Sequence, residues 1–180
     1  DEILKDEELN QAIVFTSTKR DADKLSRDLF TINHPSKALH GDLSQRQRTQ
    51  IIDRFKDNKL KILVATDIAA RGIDVKEVTH VINFDLPRKA EDYIHRIGRT
   101  GRAEKLGKAF SLVNTSDRPM IRKIEQYAKI SMEFLTMKND EPEKDFRSEP
   151  FKKSFKKKFS VKKKSNSFGS RRRNSASFPA

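Results

Sequence analysis

Through roughly its first 135 residues the chain alternates short, unbroken apolar runs with longer segments whose apolar residues recur at helical spacing. Ala12-Ile13-Val14-Phe15, Lys61-Ile62-Leu63-Val64-Ala65, His80-Val81-Ile82-Asn83-Phe84 and Ala109-Phe110-Ser111-Leu112-Val113 read as strands, with Lys37-Ala38-Leu39 a shorter one. Runs this uniformly aliphatic suit strands covered on both faces. Between them, Thr18 is placed to cap a helix through about Asn33, with Ala22, Leu25, Leu29 and Ile32 on one face. Ser44 caps a second helix with Ile51, Ile52 and Phe55 inward. A short helix follows Pro87 over about Glu91 to Ile97, and Ser116 caps a last one reaching about Ile130, with Pro119 in its first turn. Strands alternating with helices predict an α/β fold, an open parallel sheet with helices on both faces joined by right-handed crossovers. Ligands of such sheets sit beyond the carboxyl ends of the strands. That rule places Thr16-Ser17, Gly41, Thr66-Asp67 and the loops near Arg99 on one rim.

Composition divides the chain. At 34% hydrophobic and 36% charged residues, 180 residues are too polar for one compact globule, and the break falls near Met137. The expected domains are residues 1–136 and a basic, disordered tail over 137–180 rich in Lys, Arg, Phe and Ser. Pro150 to Ala180 holds eight Lys and three Arg and no acid, so it carries +11 of the net +13 and leaves 13 − 11 = +2 for the rest. An arm of this kind is built for polyanions. Phe151, Phe155 and Phe159, spaced among the lysines, suit stacking on unpaired RNA bases. The same residues also suit an interfacial helix or a merely solubilising arm. Lys156-Lys157-Lys158 and Arg171-Arg172-Arg173 allow a nuclear address, although the cytoplasm is the expected location. There is no cysteine, which excludes disulfides and thiolate metal sites. No apolar run approaches the roughly 18–20 residues of a membrane span, and no membrane partner is expected. The acidic start without Met is no signal peptide and reads as the beginning of an excised piece.

Three segments carry candidate chemistry. Ala65-Thr66-Asp67-Ile68-Ala69-Ala70-Arg71-Gly72-Ile73-Asp74-Val75 ends a buried strand in a hydroxyl and an acid, then offers a glycine for close backbone approach. Any strand-to-helix connection in an α/β domain fits the same residues. His95-Arg96-Ile97-Gly98-Arg99-Thr100-Gly101-Arg102 sets three arginines among two glycines, and the planar guanidinium fork matches phosphate bidentately. A solvated basic loop is the plainer alternative. His40-Gly41-Asp42-Leu43-Ser44-Gln45-Arg46-Gln47-Arg48 puts a glycine just before a helix, with Gln45 and Arg48 on one helix face; a capped surface helix explains it equally.

Taken in order, the segments resemble the C-terminal RecA-like domain of DEAD-box RNA helicases over about residues 9–130. Ile13-Val14-Phe15-Thr16-Ser17-Thr18 is similar to that family's motif IV. His40-Gly41 with Gln45 to Arg48 is similar to its Gln-x-x-Arg motif, Ala65 to Val75 to motif V and His95 to Arg102 to motif VI. Phe84-Asp85-Leu86-Pro87 and Tyr93-Ile94 also fall where the family has similar residues. The resemblance implies that Arg99 and Arg102 are arginine fingers on the ATP γ-phosphate and that Asp74 and Gly72 lie on the nucleotide. It implies RNA contacts at Thr16, Ser17, Gly41, Arg48, Thr66, Asp67 and Arg71. Gln45, His95 and Arg96, with Arg71, would couple the sites to a partner lobe. No Gly-x-x-x-x-Gly-Lys-Ser/Thr loop and no Asp-Glu-Ala-Asp segment is present. In the family both belong to an N-terminal lobe, so ATP with its Mg²⁺ is expected to need that lobe as a partner. The fragment alone is expected to be inactive, largely blind to RNA sequence and monomeric. A DNA translocase and a non-enzymatic RNA-binding module are the rival readings. The retained Arg99, Arg102 and Asp74 count against the second.

Overall fold

A computed structural model describes residues 2–73, 78–101 and 107–135. Its elements run β1 (Ala12–Thr16), α1 (Lys19–Thr31), β2 (Ser36–Leu39), α2 (Gln45–Lys56), β3 (Ile62–Thr66), α3 (Asp67–Ala70), β4 (His80–Asn83), α4 (Ala90–Ile97), β5 (Lys108–Ser111) and α5 (Arg118–Ala128). The strands form one sheet in the order β2-β3-β1-β4-β5, and every pairing is parallel.

All five residues of β1 are buried, as its aliphatic run requires. Successive side chains point to opposite faces. Ile13 and Phe15 join Leu63, Ala65, Val81 and Phe55 of α2 on one face. Val14 joins Val64, Ile82 and the Ala22 and Leu29 positions of α1 on the other. The sheet is therefore covered on both sides, as the sequence predicts. Ile51 and Ile52 lie only partly buried at the margin of the first cluster.

The helix starts follow their caps. The Thr18 hydroxyl accepts from the Asp21 amide at 3.1 Å. Ser44 forms a reciprocal capping box with Gln47. The ends depart from expectation. α1 stops at Thr31 because Asn33 takes a left-handed φ of 62°, which leaves Ile32 a half-exposed cap rather than part of the apolar face. Ser116 does not cap α5. Asn114 accepts from the Ser116 amide at 2.9 Å, and a 3-10 turn, Thr115–Asp117, leads into the helix. α5 closes at Ala128, with Lys129 left-handed. The proposed tail and its boundary at residue 137 lie outside the described residues.

An acidic opening segment clamps the amino ends of β4 and β5. Asp6 accepts from Lys108 Nζ at 2.7 Å, and Glu8 lies 3.0 Å from the same ammonium. The bond from Lys108, helped by the Glu8 amide, lowers the Asp6 carboxyl to a pKa of about 2. His80 is buried between Asp6, 3.3 Å from its Nε2, and the stacked Phe110 ring, so it serves packing.

Candidate functional site

The carboxyl ends of β1, β3 and β4 meet around one guanidinium. Arg96, in the last turn of α4, is 2% exposed. Its Nε and Nη2 donate to the two carboxylate oxygens of Asp67 at 2.7 and 2.8 Å. Its Nη1 donates to Asn83 Oδ1 at 3.1 Å and to the Asp85 carbonyl at 2.6 Å. The plane lies 5.0 Å above the Phe15 ring. A guanidinium keeps its charge when buried, so these acceptors offset the loss of its water shell. One expectation changes as a result: Arg96 is an internal strut and has no surface to offer a partner lobe. Asp67 has both oxygens bonded to Arg96 while its side chain stays partly exposed, so it braces the rim.

Around this strut stand the other rim residues. Gly41 follows β2 and is exposed, and a Cβ added there would meet nothing within 4 Å. Local packing therefore does not require glycine, while its absent side chain leaves the backbone open to close approach. Arg48 donates to the Ala69 carbonyl at 2.6 Å, bridging α2 to α3. Thr66 precedes α3, and its hydroxyl makes no cap bond. Lys19 pairs with Asp42 at 2.6 Å and holds that carboxyl below its usual range. His40 is buried beside Gly41, with Nε2 3.0 Å from Asp23 of α1. Thr16 is fully buried and its hydroxyl donates to the Thr18 carbonyl. The Ser17 amide donates to Asp85 Oδ2 at 2.7 Å. At this corner Ser17 is exposed, and its amide is available to an anion only in exchange for Asp85. Gln45 lies exposed on the first turn of α2, where Gln47 does the capping. Arg71, 63% exposed, pairs with Asp92, and the exposed His95 has Nδ1 4.0 Å from the same carboxylate.

Arg99 occupies a different level from the one the sequence predicts. Its carbonyl accepts from the Val78 amide at 3.2 Å, and Thr100 Oγ1 donates to the Val78 and Thr79 carbonyls. Those residues precede β4, so the motif leaves the carboxyl rim and runs down the flank of the sheet. The rule about strand ends misses this because α4 carries the chain back from the rim before it reaches Arg99. The Arg99 guanidinium donates to the Ile73 carbonyl at 3.2 Å and has no carboxylate partner among the described residues. Gly72 and Gly101 beside it have φ of 74° and 70°, left-handed values that favour glycine. Asp74 and Arg102 lie outside the described residues.

The helicase conserved C-terminal domain family matches residues 1–104. DEAD-box ATP-dependent RNA helicase CshA of Bacillus subtilis is 47% identical over 122 residues, 68% of this chain and 25% of the relative. The chain belongs to the DEAD-box helicase C-terminal domains. Among solved structures, Escherichia coli SrmB, a DEAD-box protein bound to regulator of ribonuclease activity A, is 40% identical over 70% of this chain and 74% of that one, with a TM-score of 0.67. A DEAD-box protein of Methanococcus jannaschii is 47% identical over 72% of this chain and 36% of that one, also with a TM-score of 0.67.

This DEAD-box domain spans about a quarter of the length of the curated relative. Among its described residues no three His, Cys, Asp or Glu side chains converge to hold a metal ion. Its site depends on residues that sequence reasoning gave no role. Asp85 caps the Ser17 amide, Asn83 completes the Arg96 shell and Asp92 neutralises Arg71. The available signal was a polar pair placed directly against an apolar strand: Asn83 at the end of β4 and Asp85 two residues on.

Proposed function

We propose that this domain is the C-terminal lobe of an ATP-dependent RNA helicase that locally separates RNA duplexes. Arg99 inserts a guanidinium into the nucleotide cleft formed with an N-terminal lobe. The carrying observation is the contrast among neighbouring arginines. Arg96 and Arg71 are neutralised by Asp67 and Asp92, while Arg99 has only a carbonyl acceptor and stands beside two left-handed glycines. An uncompensated guanidinium on a fixed turn is preorganised for a phosphate oxygen whose charge grows during transfer. Arg102 joins it and Asp74 meets the ribose. RNA phosphates lie on the rim, against the Gly41 backbone, Arg48 and Thr66. Arg71, His95 and Gln45 meet the partner lobe and couple it to RNA. Contacts through phosphates and 2′-hydroxyls make recognition largely independent of base sequence. Closure of the two lobes bends one strand out of the shape a duplex needs. Mg²⁺ is held by the partner lobe, and the tail over residues 137–180 tethers RNA to a cytoplasmic, monomeric enzyme.

The isolated chain should show negligible ATPase activity, and appreciable turnover would refute the half-site account. In the protein with both lobes, Arg99→Ala should lower single-turnover hydrolysis by about 10³-fold or more. RNA affinity of the isolated lobe should change little. Equal loss of hydrolysis and RNA binding would remove the finger role.

A further inference from the structure

At the end of the sheet opposite the rim, where β2 and β3 begin, lies a cavity of about 630 Å³. Its floor is apolar, formed by Leu9, Pro35 and Leu60 beneath Phe30, which is 69% exposed. Its walls carry Lys37, Arg54, Lys59 and Lys61, and no Asp or Glu lines it. Lys59 is paired with Asp57 at 2.9 Å. Lys37, Arg54 and Lys61 have no ion-pair partner among the described residues. None of these groups belongs to the rim or to the flank that carries Arg99.

An exposed ring over an aliphatic floor, ringed by unpaired cations, invites a ligand with an apolar tip and negative flanks. We infer that this hollow docks a short acidic segment of a partner protein. One apolar side chain seats on Phe30 and Leu60, and neighbouring Asp or Glu side chains pair with Lys37, Arg54 and Lys61. The volume lies within the roughly 300–1,000 Å³ typical of ligand sites. A nucleic acid fits less well, because base stacking uses flat rings, and beside Phe30 the lining offers only the His34 imidazole among aliphatic side chains. The chain's own Phe- and Lys-rich tail has the wrong sign. A second cavity of about 740 Å³ between α1 and α2 shares Lys37 and Arg54, adds Arg27, and also contains Asp23 and Asp53. It extends the cationic path along β2, an edge strand with no main-chain partner beyond β3 among the described residues. An extended segment has room to continue along that edge.

The test is an amide-resolved NMR titration of the full ¹⁵N-labelled chain with a synthetic Asp/Glu-rich peptide carrying a central Phe-x-Leu. Shifts should centre on Phe30, Lys37 and Lys61. The paired substitution Arg54→Glu with Lys61→Glu should weaken the peptide about tenfold while leaving oligouridylate binding at the rim intact. Replacing the peptide Phe by Ser should weaken binding similarly. If the charge-reversed chain fails to fold, Phe30→Ala at an exposed position gives the same reading. Shifts confined to residues 150–180, or unchanged affinity in the variants, would overturn the proposal. So would oligouridylate producing the same shifts at Phe30 and Lys37. None of these results bears on Arg99, so the site stands or falls separately from the nucleotide chemistry.

Discussion

A guanidinium removed from water needs an acceptor for each N–H that solvent no longer serves. Arg96 finds them at the ends of two strands, β3 and β4, and the acceptors in turn need it: without Arg96 the Asp67 carboxylate faces a partly buried space with no cation. Arg96→Ala should therefore destabilise the domain by about 2–4 kcal/mol, read from urea unfolding. Arg96→Lys should recover only part of that, since an ammonium cannot fork across both Asp67 oxygens. An unchanged urea midpoint for Arg96→Ala would show that the cluster contributes nothing net. The sequence shows a row of arginines but not their division of labour. Asp67 lies 29 residues from Arg96, and only the parallel register of β1, β3 and β4 brings the two together. The cluster of arginines and glycines was legible in the sequence, and the burial of Arg96 against Asp67 was not.

Elements buried on both sides were the most legible, because continuous aliphatic runs have few other uses. Their ends were less so. Where α1 stops depends on one left-handed asparagine, and the turn leading into α5 is capped by Asn114 rather than the serine two residues later. Neither choice leaves a periodic trace. The acidic opening segment had no assigned role, yet it ties the first residues to β4 and β5 through Asp6. Its carboxyl is lowered from 3.8 to about 2 in the folded state, so the protonated form is disfavoured there. The associated stability is complete above the ordinary carboxylate pKa and is lost as pH falls toward 2. Asp6→Asn should melt below the wild-type chain at neutral pH, and the gap in melting temperature should close between about pH 4 and the acid limit. A gap that stays constant across that range would detach Asp6 from the linkage.

Across the molecule, the domain presents two adjoining surfaces: a rim at the carboxyl strand ends and a flank that carries Arg99. α4 links the two, with Arg96 bonded at the rim and Arg99 bonded on the flank. The charge, by contrast, is concentrated beyond the described residues. If all eleven cations of Pro150 to Ala180 met single-stranded RNA, affinity would fall with salt at a log–log slope near −0.7 per contact, at most about −8. Removing residues 137–180 should flatten that slope and weaken binding, as measured by anisotropy at several salt concentrations. An unaltered slope would reduce the tail to a solubilising arm.

The amide of Ser17 already has an anion, the carboxylate of Asp85 at 2.7 Å. On the proposed reading, a phosphate arriving there would evict a resident rather than fill a vacancy, so its hold would be set by the difference between two acceptors. When it left, the resident would return without waiting for solvent. A corner wired in this way would grip lightly and reset itself.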